Sequence, residues 1–168
     1  MLVLIKYMRY LTGSILIICV FLTGCASVSM LPESASEVDF SADEGKVGWS
    51  KYAHTENFRG YTPEQIYDSA KAGLGAAGFS LRQASLAGGY AKGEHGMTAH
   101  DWNIIAGVYF RENVDGTKVK VIIEGSKDIG FSGDVTSDGW SGKILVAMRN
   151  YLNATNTSIL RVEKEDLK

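Results

Sequence analysis

The side chains best suited to chemistry include two histidines and an aspartate that lie close together in the chain. His95, His100 and Asp101 are of the types that bind zinc, which needs three or four converging nitrogen, sulfur or oxygen ligands. Their spacing matches no common zinc motif, and Gly96 indicates a turn directly after His95. His54 is the third histidine of the chain. We therefore expect solvated histidines and predict no metal site.

Three aspartates lie in the glycine-rich segment 125–139, namely Asp128, Asp134 and Asp138. Carboxylate oxygens at this density are typical Ca²⁺ ligands. No glutamate closes the segment as it does in an EF-hand, so we expect turn formation and helix capping instead.

No arrangement of residues predicts a catalytic centre or a cofactor site. The chain contains no Gly-x-Ser-x-Gly motif, and nothing in the sequence brings Glu94 and Glu112 together as a carboxylate pair. Trp49, Trp102 and Trp140 are candidates for lining a ligand groove between helices and sheet. Core packing is the ordinary role of aromatic residues at such positions.

The N-terminal sequence is typical of an export signal. Lys6 and Arg9 form a positive region, and an uncharged apolar run follows from Ser14 to Leu22. The run is too short to span a bilayer, which takes about 20 apolar residues. It ends in Leu22-Thr23-Gly24-Cys25, which resembles the lipobox of bacterial lipoproteins.

This resemblance implies that residues 1–24 are a lipoprotein signal peptide, removed by cleavage between Gly24 and Cys25. The Cys25 thiol then carries a diacylglycerol, and the new amine is often acylated with a fatty acid such as palmitate. Ala26 and Ser27 follow where an aspartate would favour retention at the inner membrane. If the source is Gram-negative, the resemblance therefore implies an outer-membrane lipoprotein facing the periplasm. Cys19 is lost with the signal peptide, so the mature chain has no free thiol.

Charge and composition describe an ordinary small domain. Among its 168 residues, the chain has 17 basic and 19 acidic ones. Removing Lys6 and Arg9 leaves 15 basic residues, a mature net charge of −4 against −2 for the whole chain. This charge gives no reason to expect a nucleic-acid partner.

The mature chain divides into three parts by composition. Residues 25–45 are rich in serine, alanine and acidic residues without a regular period, which predicts a flexible tether with a reach of about 25 Å. Residues 46–153 form the predicted periplasmic domain, and residues 154–168 a polar, frayed tail.

Hydrophobic patterning predicts four strands and two helices in the domain. Thr62, Pro63 and Gln65 form a helix start of the capping-box type, and Gly78 is the expected stop. Ile105 and Tyr109 face away from the main apolar side of their strand, which predicts partial cover of both sheet faces. The predicted strands cover residues 47–58, 79–85 with 90–94, 100–111 and 118–124, and the last helix runs to about residue 152.

Two further patterns orient these elements. Phe79 and Leu81 are predicted to point inward, whereas Lys118, Lys120 and Glu124 are predicted to point outward. The stripe expected to bury the last helix consists of Trp140, Ile144, Leu145, Met148, Tyr151 and Leu152.

The order β-α-β-β-β-α predicts an α+β fold with an antiparallel sheet of about four strands and two helices on one face. With its segments 78–81, 89–93 and 129–134 and the helix start at 141–145, it resembles short bacterial lipoproteins of unknown function. Its topology is also similar to the helix-grip domains of the β-barrel assembly lipoprotein BamC. We expect a non-enzymatic envelope lipoprotein that binds or scaffolds an envelope protein. The alternative is a module that binds a small molecule or lipid in the helix–sheet groove; a hydrolase is least favoured.

Overall fold

The computed structural model describes residues 27–41, 45–46, 51–96, 104–125 and 139–166, with side chains described except at 45–46 and 159–166. Two short 3-10 helices come first, at Val28–Met30 and Ala35–Glu37. The remaining elements are β1 (Gly45–Lys46), β2 (Lys51–Arg59), α1 (Pro63–Ala76), β3 (Phe79–Ser85), β4 (Tyr90–His95), β5 (Ile104–Asn113), β6 (Gly116–Glu124) and α2 (Trp140–Asp166).

The strands form one antiparallel sheet in the order β1-β2-β6-β5-β4-β3. The first long strand therefore pairs with the last one, and α1 carries the chain across to β3 at the far edge. Both helices lie on one face of the sheet, where their apolar residues share a core with it. The predicted α+β class is confirmed; the sheet has five longer strands and the two-residue β1.

Helix α1 begins and ends at the residues that the sequence predicted. The Thr62 hydroxyl accepts a hydrogen bond from the Gln65 N–H at 3.4 Å, and the Gln65 side chain accepts one from the Thr62 N–H at 3.0 Å. Pro63 occupies the first turn, where its missing N–H costs nothing. Gly78 has φ of +89°, a conformation that favours glycine after a helix. The predicted helix start and stop are confirmed.

Helix α1 packs closely against α2 at Gly73. A Cβ at this position would lie 2.6 Å from Met148 Cγ and 3.0 Å from the Ile144 carbonyl oxygen. The absence of a side chain at Gly73 thus lets the two helix backbones approach each other.

Helix α2 is longer than predicted. It continues to Asp166, whereas the sequence predicted an end near Leu152 and a polar tail from residue 154. No glycine or proline interrupts this stretch, and the Thr155 hydroxyl donates to the Tyr151 carbonyl at 2.9 Å. The Asn156 amide also contacts the Tyr61 hydroxyl at 3.2 Å, which ties this part of the helix to the loop before α1. The prediction of a frayed tail is wrong for residues up to 166.

Residues 27–41, which follow the predicted signal peptide closely, form part of the fold. Val28, Leu31, Val38 and Phe40 are buried against the sheet face opposite the helices. Their neighbours on that face are Ala53, Ile105, Tyr109 and Ile122. The prediction of a flexible tether is therefore wrong for residues 27–41, which we call the covering segment. Residues 42–44 of the predicted tether lie outside the described part of the chain.

Hydrogen bonds fix the covering segment along its length. The Tyr109 hydroxyl donates to the Pro32 carbonyl at 2.8 Å, and the Ala35 N–H donates to the Gly88 carbonyl at 2.9 Å. The Lys120 ammonium donates to the Asp39 carbonyl at 2.8 Å. Lys120, which the sequence placed facing outward, is only 4% exposed because the covering segment lies over it. The predicted cover of both sheet faces is thus confirmed, with this segment as the cover.

Two apolar side chains predicted to point inward are exposed. Leu81 lies on the edge strand β3, where the register with β4 shifts between Leu81 and Gln83, and 45% of it is exposed. Tyr151 is also exposed, at one margin of the α2 stripe, while Ile144 and Met148 in the stripe are fully buried.

Candidate partner-binding surface

An aromatic cluster lies where β3 and α2 begin and β4 ends. Phe79 and His95 are paired across β3 and β4, with ring centroids 5.4 Å apart. Trp140, the first residue of α2, lies 5.5 Å from Phe79 and 4.5 Å from His95. Edge-to-face contacts of this kind favour a fixed ring orientation. Trp140 is half-buried, so one side of its ring packs on the core and the rest faces solvent.

His95 has its own partner within this cluster. Its Nδ1 lies 2.9 Å from the Gly96 carbonyl oxygen, and because a carbonyl can only accept, Nδ1–H must be the donor. In the neutral ring, Nε2 therefore carries no proton. This atom lies near the backbone of Gly78. Within the described ranges, no three His, Cys, Asp or Glu side chains converge as metal ligands. His100 and Asp101 lie outside the described residues, and His54 is on β2 opposite Val121.

A surface groove continues from Trp140 between the end of α1 and α2. Its volume is about 540 Å³, and Val146 is one of its exposed apolar residues. The Lys143 ammonium lies 4.8 Å from the centre of the Trp140 ring, a cation–π distance. The groove is lined by Ala76, Ala77, Trp140, Lys143, Val146, Ala147 and Asn150. A groove of mixed polarity, with Val146 and Trp140 beside the Lys143 ammonium, suits an apolar side chain next to an acidic group.

The sequence pointed to Trp140 but missed the rest of this groove. The available signal was the spacing of Trp140, Lys143 and Ala147, because residues three and four apart share one side of a helix. The contribution of Ala76 and Ala77 depends on how α1 crosses α2, which no local pattern encodes. The groove lies on the surface between the helices, not between helices and sheet, where the tryptophans were candidates for lining a ligand groove. Trp49 and Trp102 lie outside the described residues.

The other candidate side chains are separate or outside the described residues. Glu94 pairs with Arg82 at 2.9 Å. Glu94 lies on β4 opposite Ile105 of β5. Glu112 is seven residues beyond Ile105 on β5, which separates it from Ile105 by roughly 23 Å. The two carboxylates are not a pair. Three aspartates of the glycine-rich segment and the predicted lipidation site lie outside the described residues, namely Asp128, Asp134, Asp138 and Cys25.

A second polar group is buried beneath the covering segment. Lys92 is 2% exposed; its ammonium lies 3.4 Å from Gln83 Oε1 and 4.5 Å from the centre of the Tyr90 ring. Burial lowers the pKa of Lys92, and the carboxylates of Glu33 and Glu37 oppose this effect. The contacts with Gln83 and Tyr90 compensate a buried cation within β3 and β4, so a structural role explains them fully.

Comparison with known proteins identifies no family. No family model matches the sequence, and no curated protein matches it. A protein from Rhodobacter sphaeroides, a structural-genomics target, is 10% identical, with a TM-score of 0.39 over 69% of this chain and 98% of that one. A structural-genomics target from Chromobacterium violaceum is 13% identical, with a TM-score of 0.38 over 61% of this chain and 97% of that one. Likenesses this distant carry no functional argument. Among the described residues, no helix combines the length and apolar character needed to cross a membrane.

Proposed function

We propose that this chain is a non-enzymatic lipoprotein of the cell envelope, anchored through lipid on Cys25, whose domain binds or scaffolds an envelope protein. The observation that carries the proposal is the sequence Leu22-Thr23-Gly24-Cys25 after a charged and then apolar leader. In a Gram-negative cell, the same resemblance implies that the anchor lies in the outer membrane and the domain in the periplasm. Stable anchoring takes two or more acyl chains, which the lipidated N-terminus of a mature lipoprotein carries.

Labelling with a radioactive fatty acid tests the anchor. The wild-type chain should incorporate label and Cys25→Ser should not. Cys19→Ser is the matched control, because the proposed cleavage removes this second cysteine, and it should be labelled like the wild type. Equal labelling of wild type and Cys25→Ser would refute the anchor.

The groove beside Trp140 supports the partner-binding part of the proposal. Partner surfaces are enriched in tryptophan with exposed apolar neighbours, and Val146 and Trp140 provide this combination. The alternative, a small-molecule or lipid site between helices and sheet, has less support. In the described part of the chain, that space contains the fully buried side chains of Ile66, Leu74, Ile144 and Met148.

Site-specific photo-crosslinking in intact cells tests the partner surface. A cross-linker at Val146 should give a product of defined mass, and Lys143→Glu should reduce its yield. A cross-linker at exposed Thr157 is the control, about 16 Å further along the same helix. Equal products from positions 146 and 157 would contradict a partner in the groove.

A further inference from the structure

The distance between the anchor and the folded domain is short. Ser27 is held in place: its carbonyl accepts from the Met30 N–H at 2.8 Å and its hydroxyl accepts from the Ser29 hydroxyl at 3.1 Å. Val28, the next residue, is buried on the sheet. Only Ala26 separates Ser27 from Cys25, and two residues span at most about 7 Å. A lipid on Cys25 would therefore hold Ser27 within about 7 Å of the anchored cysteine.

The side of the domain nearest the anchor is defined by the 3-10 helix. Residues three apart lie on the same side of such a helix, and Val28 and Leu31 both face the sheet. Met30 points the other way and is 62% exposed. The two long helices lie on the opposite face of the sheet, and the groove with Trp140 lies between them.

We propose that the covering segment faces the lipid headgroups and holds the domain flush against the bilayer, with Met30 in the interface and the α1–α2 groove turned away from it. The inference rests on lipidation of Cys25, and the lipid surface is the occupant to which it commits. Anchor length, not intrinsic affinity, causes the contact. One exposed methionine is little apolar area, and the exposed Glu33 and Glu37 would not attract anionic lipids.

Fluorescence quenching in vesicles tests the orientation. The lipidated full-length protein is reconstituted into vesicles of phosphatidylethanolamine and phosphatidylglycerol that contain a lipid with a nitroxide quencher near the headgroup. A fluorophore is attached to Met30→Cys or, as control, to Asn150→Cys. Asn150 is exposed on the side of α2 opposite its buried stripe, beyond the sheet and a helix about 10 Å across. Quenching should be several-fold stronger at position 30 than at position 150.

A linker variant separates anchor length from surface affinity. Inserting about 20 flexible Gly and Ser residues between Ala26 and Ser27 restores a reach of about 25 Å. Quenching at position 30 should then fall to the level found at position 150. Equal quenching at both positions without the linker, or unchanged quenching at position 30 with it, would overturn the flush orientation.

Flotation with the vesicles distinguishes this inference from the proposed function. If the wild-type chain floats with the vesicles and Cys25→Ser does not, the anchor stands and the quenching decides the orientation. If the wild-type chain fails to float, the proposed anchor is refuted and the orientation with it. If the Cys25→Ser chain, produced from residue 25 so that no uncleaved apolar leader remains, floats as well as the wild type, the domain binds lipid by its own surface, and contact through anchor length is overturned.

Discussion

Phe40→Ala measures how firmly the covering segment is bound to the sheet. Phe40 is 2% exposed, and the Arg111 guanidinium lies 4.5 Å from the centre of its ring. Replacing a buried phenylalanine by alanine removes its transfer free energy and leaves a cavity, which costs about 3–5 kcal/mol. Loss of the cation–π contact adds about 0.5–1 kcal/mol at a partly exposed site. Since small domains are stable by about 5–15 kcal/mol, the substitution should remove a large fraction of the stability.

Urea unfolding of a soluble form that begins at residue 25 and carries Cys25→Ser provides the assay. Met30→Ala is the matched control, because Met30 lies in the same segment but is mostly exposed, and its effect should stay within about 0.5 kcal/mol. A flexible segment would make the two variants equivalent. A loss below about 1 kcal/mol for Phe40→Ala would therefore refute the docking of residues 27–41, and the flush orientation would lose its basis.

Four further substitutions test packing, capping and titration by urea unfolding. Gly73→Ala should lower the free energy of unfolding by about 1–3 kcal/mol because the new Cβ would lie 2.6 Å from Met148 Cγ. Gly75→Ala should instead raise it by about 0.5–1 kcal/mol, because no atom lies within 4 Å of the new Cβ. Thr62→Ala should cost about 1 kcal/mol through loss of the helix cap, and no loss would contradict that role. Burial raises the pKa of Tyr109 above its usual value near 10, so the unfolded chain releases this proton first as the pH rises. Above pH 10 the free energy of unfolding of the wild type should therefore fall by up to about 1.4 kcal/mol per pH unit relative to that of Tyr109→Phe. If the two free energies of unfolding change in parallel between pH 9 and pH 11, this effect is excluded.

Local signals in the sequence were sufficient to predict how the helices and the sheet form one layer against the other. Thr62, Pro63 and Gln65 determine the start of α1 through bonds within one turn, and Gly78 stops it through its own backbone preference. The alternation along β5 separates Ile104 and Val108 from Tyr109 because successive side chains of a strand point to opposite faces. Each of these features depends on residues that are neighbours in the chain.

The covering segment could not be predicted by the same means. Residues 27–41 have no strand or helix period, and their apolar side chains taken alone are too few to offset the entropy of ordering the segment. Docking of the segment also stabilises residues of the sheet. Ile105 and Ile122 lose solvent exposure on the same face, and the buried Lys120 obtains the Asp39 carbonyl as a partner 81 residues away. The favourable terms arise between segments distant in sequence, so no local window contains them.

The extension of α2 beyond Leu152 illustrates the same error in a different element. Its polar composition after Leu152 suggested fraying, but polar residues without glycine or proline retain helix propensity once a preceding turn is fixed. Leu152 is buried and Asn156 contacts Tyr61, so packing anchors the helix there and its hydrogen bonds propagate further. Composition alone was a weak guide because both the covering segment and the extension of α2 are rich in polar residues, yet each is ordered.

The covering segment also changes the mechanical relation between the proposed anchor and the proposed binding surface. A flexible tether of 20 residues would let the groove sample every direction at a distance of about 25 Å from the bilayer. Because Val28 is already packed on the sheet, the domain can rotate relative to the proposed anchor only about the bonds between Cys25 and Ser27. The sheet lies between the proposed anchor and the groove. A partner in the groove would then meet a surface of restricted height and direction. For the same reason, a substitution in the core of the covering segment, such as Phe40→Ala, should weaken partner capture at the membrane without altering the groove itself.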